Sequence, residues 1–260
     1  MANLGWGVCR LSVVAVRESP HSTSEQTTQL LFGEHYSIQE ISEDKKWVQI
    51  RVFYDQSEGW LHNSQHHAIS EEFYSQICHT EYKIATEITS QVLYKKNPIT
   101  VVLGSIIPIS TLELFSVEEQ IAFNGDSKPT TQRRDFEFLR SIAKKYLWSP
   151  YSEGGKTPFG IDAAGFVQMT YKISGYSLLR NLDGQSKQGK QIAFEEIKPG
   201  DLAFFKDNEN NITNAGIIFP ENKVIHSHAY VRIDNLTHKG VFDSETNKKI
   251  FDLHSIRRVI

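Results

Sequence analysis

The sequence has few of the residues that build disulfides and metal sites. Its only cysteines are Cys9 and Cys78, and neither belongs to a Cys-x-x-Cys pair or to a Cys/His cluster with metal-ligand spacing. A disulfide, a buried free thiol and a reactive thiol all remain possible, and burial is the most frequent state of an unpaired cysteine. The sequence therefore predicts no metal and no cofactor.

Long apolar runs and a bias toward one sign of charge are also missing. The N-terminal stretch MANLGWGVCRLSVVAVRESP has no basic segment ahead of its apolar residues, and Arg10 and Arg17 interrupt it. No stretch approaches the roughly 20 apolar residues of a membrane span. The formal net charge is -3, with acidic and basic residues interspersed, which excludes the electrostatic pattern of nucleic-acid or anionic-membrane binding. We expect a cytoplasmic protein without a transmembrane segment, or a periplasmic or secreted one if a leader precedes this chain.

The first half of the chain has the pattern of β-structure. In residues 1–75, short apolar and β-branched segments alternate with turn residues, as in RLSVVAVRES, QLLFGEHYSIQEIS, KKWVQIRVFY and SEGWLHNS, which is typical of a small barrel or sandwich. A β-rich region at 76–126 contains QVLYKKN and TVVLGSIIPIS, and Pro98, Gly104 and Pro108 mark bends or edges in it. The sequence leaves open whether this region is a second complete barrel or an elaborated connection.

The hydrophobic period changes to that of a helix after the polar stretch 124–132, which is the predicted linker. One face of a helix that ends before Pro150 is formed by Phe136, Leu139, Ile142, Ala143 and Tyr146. A second helix is predicted from about Ala163 to Ser174, followed by a polar loop and by strands in DLAFFK, AGIIF, KVIHSHAYVRI and KKIFDLHSIRRVI. Helices followed by a run of strands predict an α+β domain at 127–260, with helices packed on an antiparallel sheet.

The order of these blocks resembles that of the NlpC/P60 cysteine peptidases, which are papain-like enzymes that cut bacterial cell-wall peptides. The similar blocks are YLWSPYSEGG, GIDAAGFVQMTYKISGYSL, LRNLDGQSKQGK, IKPGDLAFF, NAGIIF and KVIHSHAYVRI. The N-terminal part, with SVVAVRESPHSTSEQTTQLLFGEHYSI and WVQIRVFYDQSEGWL, resembles bacterial SH3 domains, in particular those that precede the γ-D-glutamyl-L-diamino-acid endopeptidases of murein peptide recycling. The resemblance implies one or two SH3-like barrels followed by a papain-like NlpC/P60 domain.

The catalytic groups that this resemblance implies are not all present. The family uses a cysteine at a helix N-terminus as nucleophile, a histidine on a core strand as base, and a third polar residue, often histidine, to orient the base. The block Asp-Cys-Ser-Gly appears here as DAAG at 162–165, and His-Val-Gly-Ile appears as NAGI at 214–217. Ala163 thus replaces the nucleophile and Asn214 replaces the base, and an amide has no proton affinity to act as one. The third position is retained as His226.

Positions that recognise substrate in the family are also changed. Tyr151 keeps its place in the Tyr-x-Trp-Gly-Gly block, but Glu153 replaces the tryptophan and Ala164 replaces the serine after the nucleophile. Asn181 and Leu182 replace the aspartate and serine of an Arg-Asp-Ser block. In the recycling enzymes that aspartate helps to hold the free amine of the peptide, a charge-assisted contact that an asparagine weakens. Changes at so many positions of one site are hard to attribute to a single engineered trap.

Several polar residues have two possible interpretations. Asp162 could bind an amine or cap the helix that follows it, and capping is favoured because it needs only backbone geometry. Glu34 in LLFGE matches the SH3 acid that reaches the peptide's amino terminus in the recycling enzymes, and a surface carboxylate at a strand end explains it equally well. Glu153 either fills the old cleft with charge or creates a cation-binding spot. His226 and His228 could form a two-histidine metal site, but no third ligand is evident and a core or relic histidine is favoured.

The leading hypothesis is a catalytically inactive NlpC/P60 homologue that binds or regulates murein peptides, muropeptides or an active homologue. One alternative is an active γ-D-glutamyl-L-diamino-acid endopeptidase with an unidentified nucleophile. It would require Cys9 or Cys78 to lie within about hydrogen-bond reach, ~3 Å, of His226. The other alternative is a protein-interaction module whose cleft is closed by side chains such as Glu153 and Phe159.

Overall fold

The structure, a computed structural model, describes residues 4–107 and 121–260. The chain forms two compact units that divide between Gln132 and Arg133. None of the helices in the described ranges is long and apolar enough to cross a membrane.

The first unit begins with one antiparallel sheet. Its strands are β1 (Gly5–Val8), β2 (Val13–Arg17), β3 (Gln26–Leu31), β4 (His35–Ile41), β5 (Trp47–Val52), β6 (Glu58–His62) and β7 (Ala68–Ile69). They are ordered β3-β2-β6-β5-β4-β1-β7. Alternation along β2 turns Val14 and Val16 inward, where they pack in one cluster with Ile50 and Leu61. The SH3-like β-structure predicted for this region is confirmed.

Two small sheets and one helix complete the first unit. These elements are α1 (Glu71–Cys78), β8 (Lys83–Ala85), β9 (Thr89–Tyr94), β10 (Asn97–Val102), β11 (Ile106–Ile107), β12 (Ile121–Asn124) and β13 (Ser127–Pro129). The sheets have the orders β10-β9-β12 and β11-β8-β13. Pro98 lies on the edge strand β10 and Gly104 lies in a turn with φ 89°, as expected, while Pro108 falls outside the described residues. Part of the predicted linker is a strand, because β13 pairs with β8.

The second unit has three helices and a sheet that closes on itself. Its elements are α2 (Phe136–Lys145), β14 (Lys156–Thr157), β15 (Gly160–Ile161), α3 (Ala163–Ile173), α4 (Leu182–Lys187), β16 (Lys190–Gln191), β17 (Leu202–Lys206), β18 (Ile212–Phe219), β19 (Lys223–His228), β20 (Tyr230–Thr237), β21 (Gly240–Phe242) and β22 (Lys249–Arg258). The large sheet runs β16-β22-β17-β18-β19-β20-β21, and β21 pairs again with β22. The α+β class predicted for this half is confirmed.

Helix α3 is the central element of the second unit. All of its residues are buried, which agrees with a sequence that is apolar on most of its surface. It packs against α2 and against the neighbouring strands β18 and β19. The two helices predicted from periodicity, α2 and α3, are therefore confirmed, and α3 packs on the sheet as expected.

Candidate functional site

The N-terminus of α3 is fixed by Asp162. The Asp162 carboxylate accepts hydrogen bonds from the backbone N–H of Gly165 at 2.6 Å and from that of Gly154 at 2.9 Å. The first of these is the N-cap bond of the helix, so the predicted capping role is confirmed.

Asp162 also forms a buried ion pair. The Arg180 guanidinium donates to both carboxylate oxygens, at 2.7 and 3.1 Å, and both side chains are 8% exposed. Paired donation of this kind fixes the orientation of the two groups. The carboxylate that the sequence offered as a possible amine ligand is thus already bound to two backbone amides and a guanidinium. Arg180 belongs to the segment LRNLDGQSKQGK, and nothing in the local sequence indicates Asp162 as its partner.

Two glycines allow the turn before α3 to approach the helix. Gly154 has a φ of 68°, in the left-handed region that glycine adopts without strain. A Cβ added at Gly165 would lie 2.3 Å from the carbonyl oxygen of Gly155, closer than any real contact. The absence of a side chain at Gly165 therefore permits this close approach.

The first two side chains of α3 are methyl groups. Ala163 is 3% exposed and Ala164 is 7% exposed. The carbonyl of Ala164 accepts a hydrogen bond from Nε2 of Gln185 at 3.0 Å, which ties α3 to α4. Neither side chain has an atom that can attack a carbonyl or donate a proton.

Asn214 lies on β18 and is held by the adjacent strand. Its Nδ2 donates to the carbonyl of Ser227 at 2.8 Å, and the side chain is buried. Its Oδ1 is buried and accepts no hydrogen bond within the described part of the chain. Because β18 and β19 pair Gly216 with His226, and Asn214 is two residues before Gly216, Asn214 and His226 share one face of the sheet. The structure thus places these two positions on adjacent strands against which α3 packs.

His226 is a core residue with a carboxylate partner. It is 0% exposed, and its Nε2 lies 2.9 Å from Oδ2 of Asp234. Asp234 in turn is paired with Arg232, which also contacts Asp243 at 2.7 Å. The interpretation of His226 as a core histidine is supported by this burial, and Asp234 was not identified from the sequence.

The charge of Asp234 sets the direction of the His226 hydrogen bond. Burial raises the pKa of Asp234, but hydrogen bonds from His226, Arg232 and the Ser244 backbone outweigh this effect and lower the pKa to about 2. Asp234 is therefore a carboxylate at neutral pH and can only accept, so Nε2 of His226 donates. Nδ1 of His226 is buried without a hydrogen bond among the described residues.

The depressed pKa of Asp234 predicts an acid-dependent loss of stability. A carboxyl whose pKa falls on folding from 3.8 to about 2 contributes stability that is present above pH 3.8 and lost as the pH falls through 2. We therefore expect Asp234→Asn to be less stable than the unmodified protein at neutral pH, and this difference to shrink as the pH falls toward 2. Urea unfolding of both proteins, from neutral pH down to about pH 2, measures this difference in the free energy of unfolding. The control Asp183→Asn changes an exposed carboxylate. A loss of stability in Asp234→Asn that does not depend on pH would contradict the lowered pKa of Asp234.

Tyr151 and Glu153 form an exposed polar pair. The Tyr151 hydroxyl donates to Oε2 of Glu153 at 2.6 Å, and the Tyr151 side chain is 42% exposed. Burial, followed by the hydrogen bond to Glu153, raises the pKa of the Tyr151 hydroxyl. Glu153 therefore extends to the surface with a tyrosine partner, and Phe159, six residues later, is 64% exposed.

Asn181 has a structural role at the start of α4. Its Oδ1 accepts a hydrogen bond from the backbone N–H of Gly184 at 2.7 Å, which caps the helix, and the side chain is exposed. Leu182, the first residue of α4, is half-buried. The polar loop predicted here is thus a short helix with an asparagine cap.

Glu34 lies in the first unit and is not a surface residue. It is 2% exposed, and its Oε2 accepts a hydrogen bond from the backbone N–H of Leu31 at 2.9 Å. The interpretation as a surface carboxylate is therefore wrong, because this bond folds the side chain back over the turn between β3 and β4. Its assignment as a ligand-binding acid stays a prediction.

The two cysteines lack the features of activated nucleophiles. Cys9 is 2% exposed and its Sγ contacts the carbonyl of Leu11 at 3.3 Å. Burial raises the pKa of the Cys78 thiol, although a hydrogen bond with Tyr74 opposes this. Neither is joined in a disulfide within the described residues. Reactive cysteines require a lowered pKa and access to solvent, and Cys9 lacks the access while Cys78 lacks the lowered pKa.

Comparisons with known proteins agree with this architecture. Residues 148–249 match the model of the NlpC/P60 family, and residues 16–65 match that of the bacterial dipeptidyl-peptidase SH3 domain. The chain is 27% identical over 219 residues to the gamma-D-glutamyl-L-lysine dipeptidyl-peptidase of Bacillus subtilis (strain 168), an alignment that covers 77% of this chain and 71% of that protein. It is 26% identical over 211 residues to dipeptidyl-peptidase 6 of Lysinibacillus sphaericus, covering 72% of this chain and 76% of the relative.

A solved structure supports the same fold over nearly the whole chain. The crystal structure of an NlpC/P60 family protein from Bacillus cereus ATCC 10987 superposes with a TM-score of 0.81, at 17% identity, over 98% of this chain and 99% of that one. The two family-model matches, over residues 16–65 and 148–249, thus show a bacterial SH3 domain followed by a domain of the NlpC/P60 family.

Proposed function

We propose that this protein is a catalytically inactive NlpC/P60 homologue that binds murein peptides without cutting them. The observation that carries the proposal is the chemistry at the two key positions. The entrance of α3 holds the methyl group of Ala163, and the facing strand holds Asn214, whose amide nitrogen is already bonded to Ser227. Peptide cleavage of this type requires a thiolate and an imidazole that accepts the thiol proton. A methyl group and an amide provide neither.

The retained framework supports binding as the remaining activity. The Asp162–Arg180 pair still holds the helix entrance, and His226 still has its carboxylate partner Asp234. Tyr151 and Phe159 still expose aromatic surface. The B. subtilis relative is named for a γ-D-glutamyl-L-lysine bond. We propose that the ligand here is a stem peptide with the same γ-D-glutamyl-diamino-acid linkage. In the cell, the protein would then regulate an active homologue, either by sequestering its peptide substrate or by binding to it directly.

The alternative of an active enzyme with a displaced nucleophile is less well supported. It depends on Cys9 or Cys78, and the burial of the first and the raised pKa of the second both oppose thiolate formation. A closed interaction module is also less well supported, because Glu153 and Phe159 extend to solvent.

Calorimetry with L-Ala-γ-D-Glu-diaminopimelate tests the binding proposal. We expect a saturable heat of binding, and a weaker one or none for the matched peptide with an ordinary α-peptide bond after glutamate. Longer stem peptides show how much of the ligand is recognised. Equal heats for the two linkages, or none for either, would overturn the proposal in favour of an interaction module.

A further inference from the structure

The second unit has a cavity that is lined by residues other than the predicted site positions. It has a volume of about 250 Å³, and its lining includes Trp148, Tyr230, Arg232, Ser244 and Glu245. None of the predicted catalytic or ligand-binding positions lines it. Its occupant is therefore a question separate from that of the peptide cleft.

An exposed aromatic ring stands at this cavity. Trp148 is 74% exposed, and its ring stacks on that of Tyr230 with centroids 5.0 Å apart and planes inclined by 11°. Its backbone φ is 68°, a left-handed conformation that bulky residues rarely adopt. The backbone is held there by a hydrogen bond from the Trp148 N–H to the carbonyl of Val231 at 2.9 Å. Strain that places a large ring in solvent is typical of functional positions.

Carboxylates dominate the charge around the cavity. The Arg232 guanidinium is paired with Asp234 and Asp243, each at 2.7 Å, so its charge is already neutralised. Glu245 adds a third carboxylate, and that group has no hydrogen bond or ion pair within residues 4–107 and 121–260. These four groups carry one positive and three negative charges, and of them Arg232 and Glu245 line the cavity itself.

We propose that this cavity binds an organic cation, namely a primary or quaternary ammonium group on a short aliphatic stem. The face of the Trp148 ring that is not stacked on Tyr230 attracts a cation within about 6 Å of the ring centre, whereas the Arg232 guanidinium already lies 5.5 Å from the centre of the Tyr230 ring. The Glu245 carboxylate supplies the counter-charge. An anion would be repelled by the surplus carboxylates. A neutral sugar would leave the Glu245 carboxylate without a counter-charge. The inference does not depend on the proposed peptide-binding function, because no predicted catalytic or ligand-binding position lines the cavity.

Ligand-observed NMR titration tests the proposal with two probes that share one four-carbon stem. The first is Nα-acetyl-lysine methylamide, and the second is Nα-acetyl-norleucine methylamide, which has the same stem without the ammonium. We expect saturable binding of the lysine derivative in the millimolar range and none of the norleucine derivative. Glu245→Gln should weaken binding about three- to fivefold. The control Glu221→Gln removes an exposed carboxylate outside the cavity and should leave binding unchanged.

Trp148→Gly removes the ring without an adverse effect on the backbone. Glycine adopts the φ of 68° freely, so the variant should fold with an unchanged or raised Tm while binding of the lysine derivative is lost. Equal binding of both probes, no saturation by tens of millimolar, or full binding by folded Trp148→Gly would each overturn the proposal. A preference for N-acetylglucosamine over the lysine derivative would overturn it in favour of a carbohydrate site.

Discussion

The double variant Ala163→Cys/Asn214→His is expected to contain a thiol that reacts rapidly with iodoacetamide in mildly acidic solution. A cysteine at the first position of α3 would lie at the positive end of the helix dipole, where thiolates are stabilised. A histidine at 214 would lie on the same face as His226, which Asp234 already orients. Such pairs lower a thiol pKa from about 8.5 to about 3.5–7.5, so alkylation near pH 6 should accelerate at least about tenfold over the unmodified protein.

The single variant Ala163→Cys is the control for this prediction. It keeps the helix dipole but lacks the imidazole, so its alkylation rate should lie between those of the double variant and the unmodified protein. Cys9 and Cys78 are present in all three proteins and give the same background. Cleavage of the stem peptide by the double variant would show in addition that the cleft admits substrate. A double variant that reacts no faster than the single one would contradict the geometry assigned to position 214.

Asp162→Ala is expected to lower the free energy of unfolding by about 3–5 kcal/mol. The substitution leaves the Arg180 guanidinium, 8% exposed, without the carboxylate that holds it. It also removes the N-cap bond to Gly165 and the bond to Gly154. Removing one partner of a buried ion pair is costly because the other charge stays in a poorly solvated environment. Urea denaturation measures the change.

Lys187→Ala is the matched control, because it breaks an ion pair of similar length on the surface. Lys187 and Asp183 are 69% and 74% exposed, and the loss of such a pair changes stability by less than about 1 kcal/mol. In the double variant Asp162→Ala/Arg180→Leu, part of the lost stability should return, since no charge is left unpaired. If Asp162→Ala lowered the free energy of unfolding as little as the control does, the Asp162–Arg180 pair would not be what holds the helix entrance.

Periodicity was sufficient to predict the long elements of the second unit. Helices α2 and α3 present apolar residues at helical spacing over ten or more residues, and Asp162 is a typical cap. Helices α1 and α4 have eight and six residues, too few for a clear period. Short helices depend on packing and capping by the surrounding fold rather than on intrinsic propensity.

Pairings over long sequence distances could not be predicted. The segment KVIHSHAYVRI has continuous strand character, but it turns at Ala229, with a φ of 59°, into two strands that pair His226 with Arg232. Only this register brings Asp234 to His226. The register of two strands cannot be predicted until the turn between them is located. Likewise, Arg180 reaches Asp162 through a loop whose path the sequence does not encode locally.

The central claim is that the cleft recognises the peptide and does not hydrolyse it. Mass spectrometry of L-Ala-γ-D-Glu-diaminopimelate after long incubation with the unmodified protein tests this most directly, at concentrations that calorimetry shows to be saturating. We predict that the tripeptide remains intact with the unmodified protein, while cleavage by the Ala163→Cys/Asn214→His variant, prepared identically, shows that substrate reaches the cleft. Release of L-Ala-D-Glu and diaminopimelate by the unmodified protein, at a rate proportional to its concentration, would contradict the account and establish a working nucleophile.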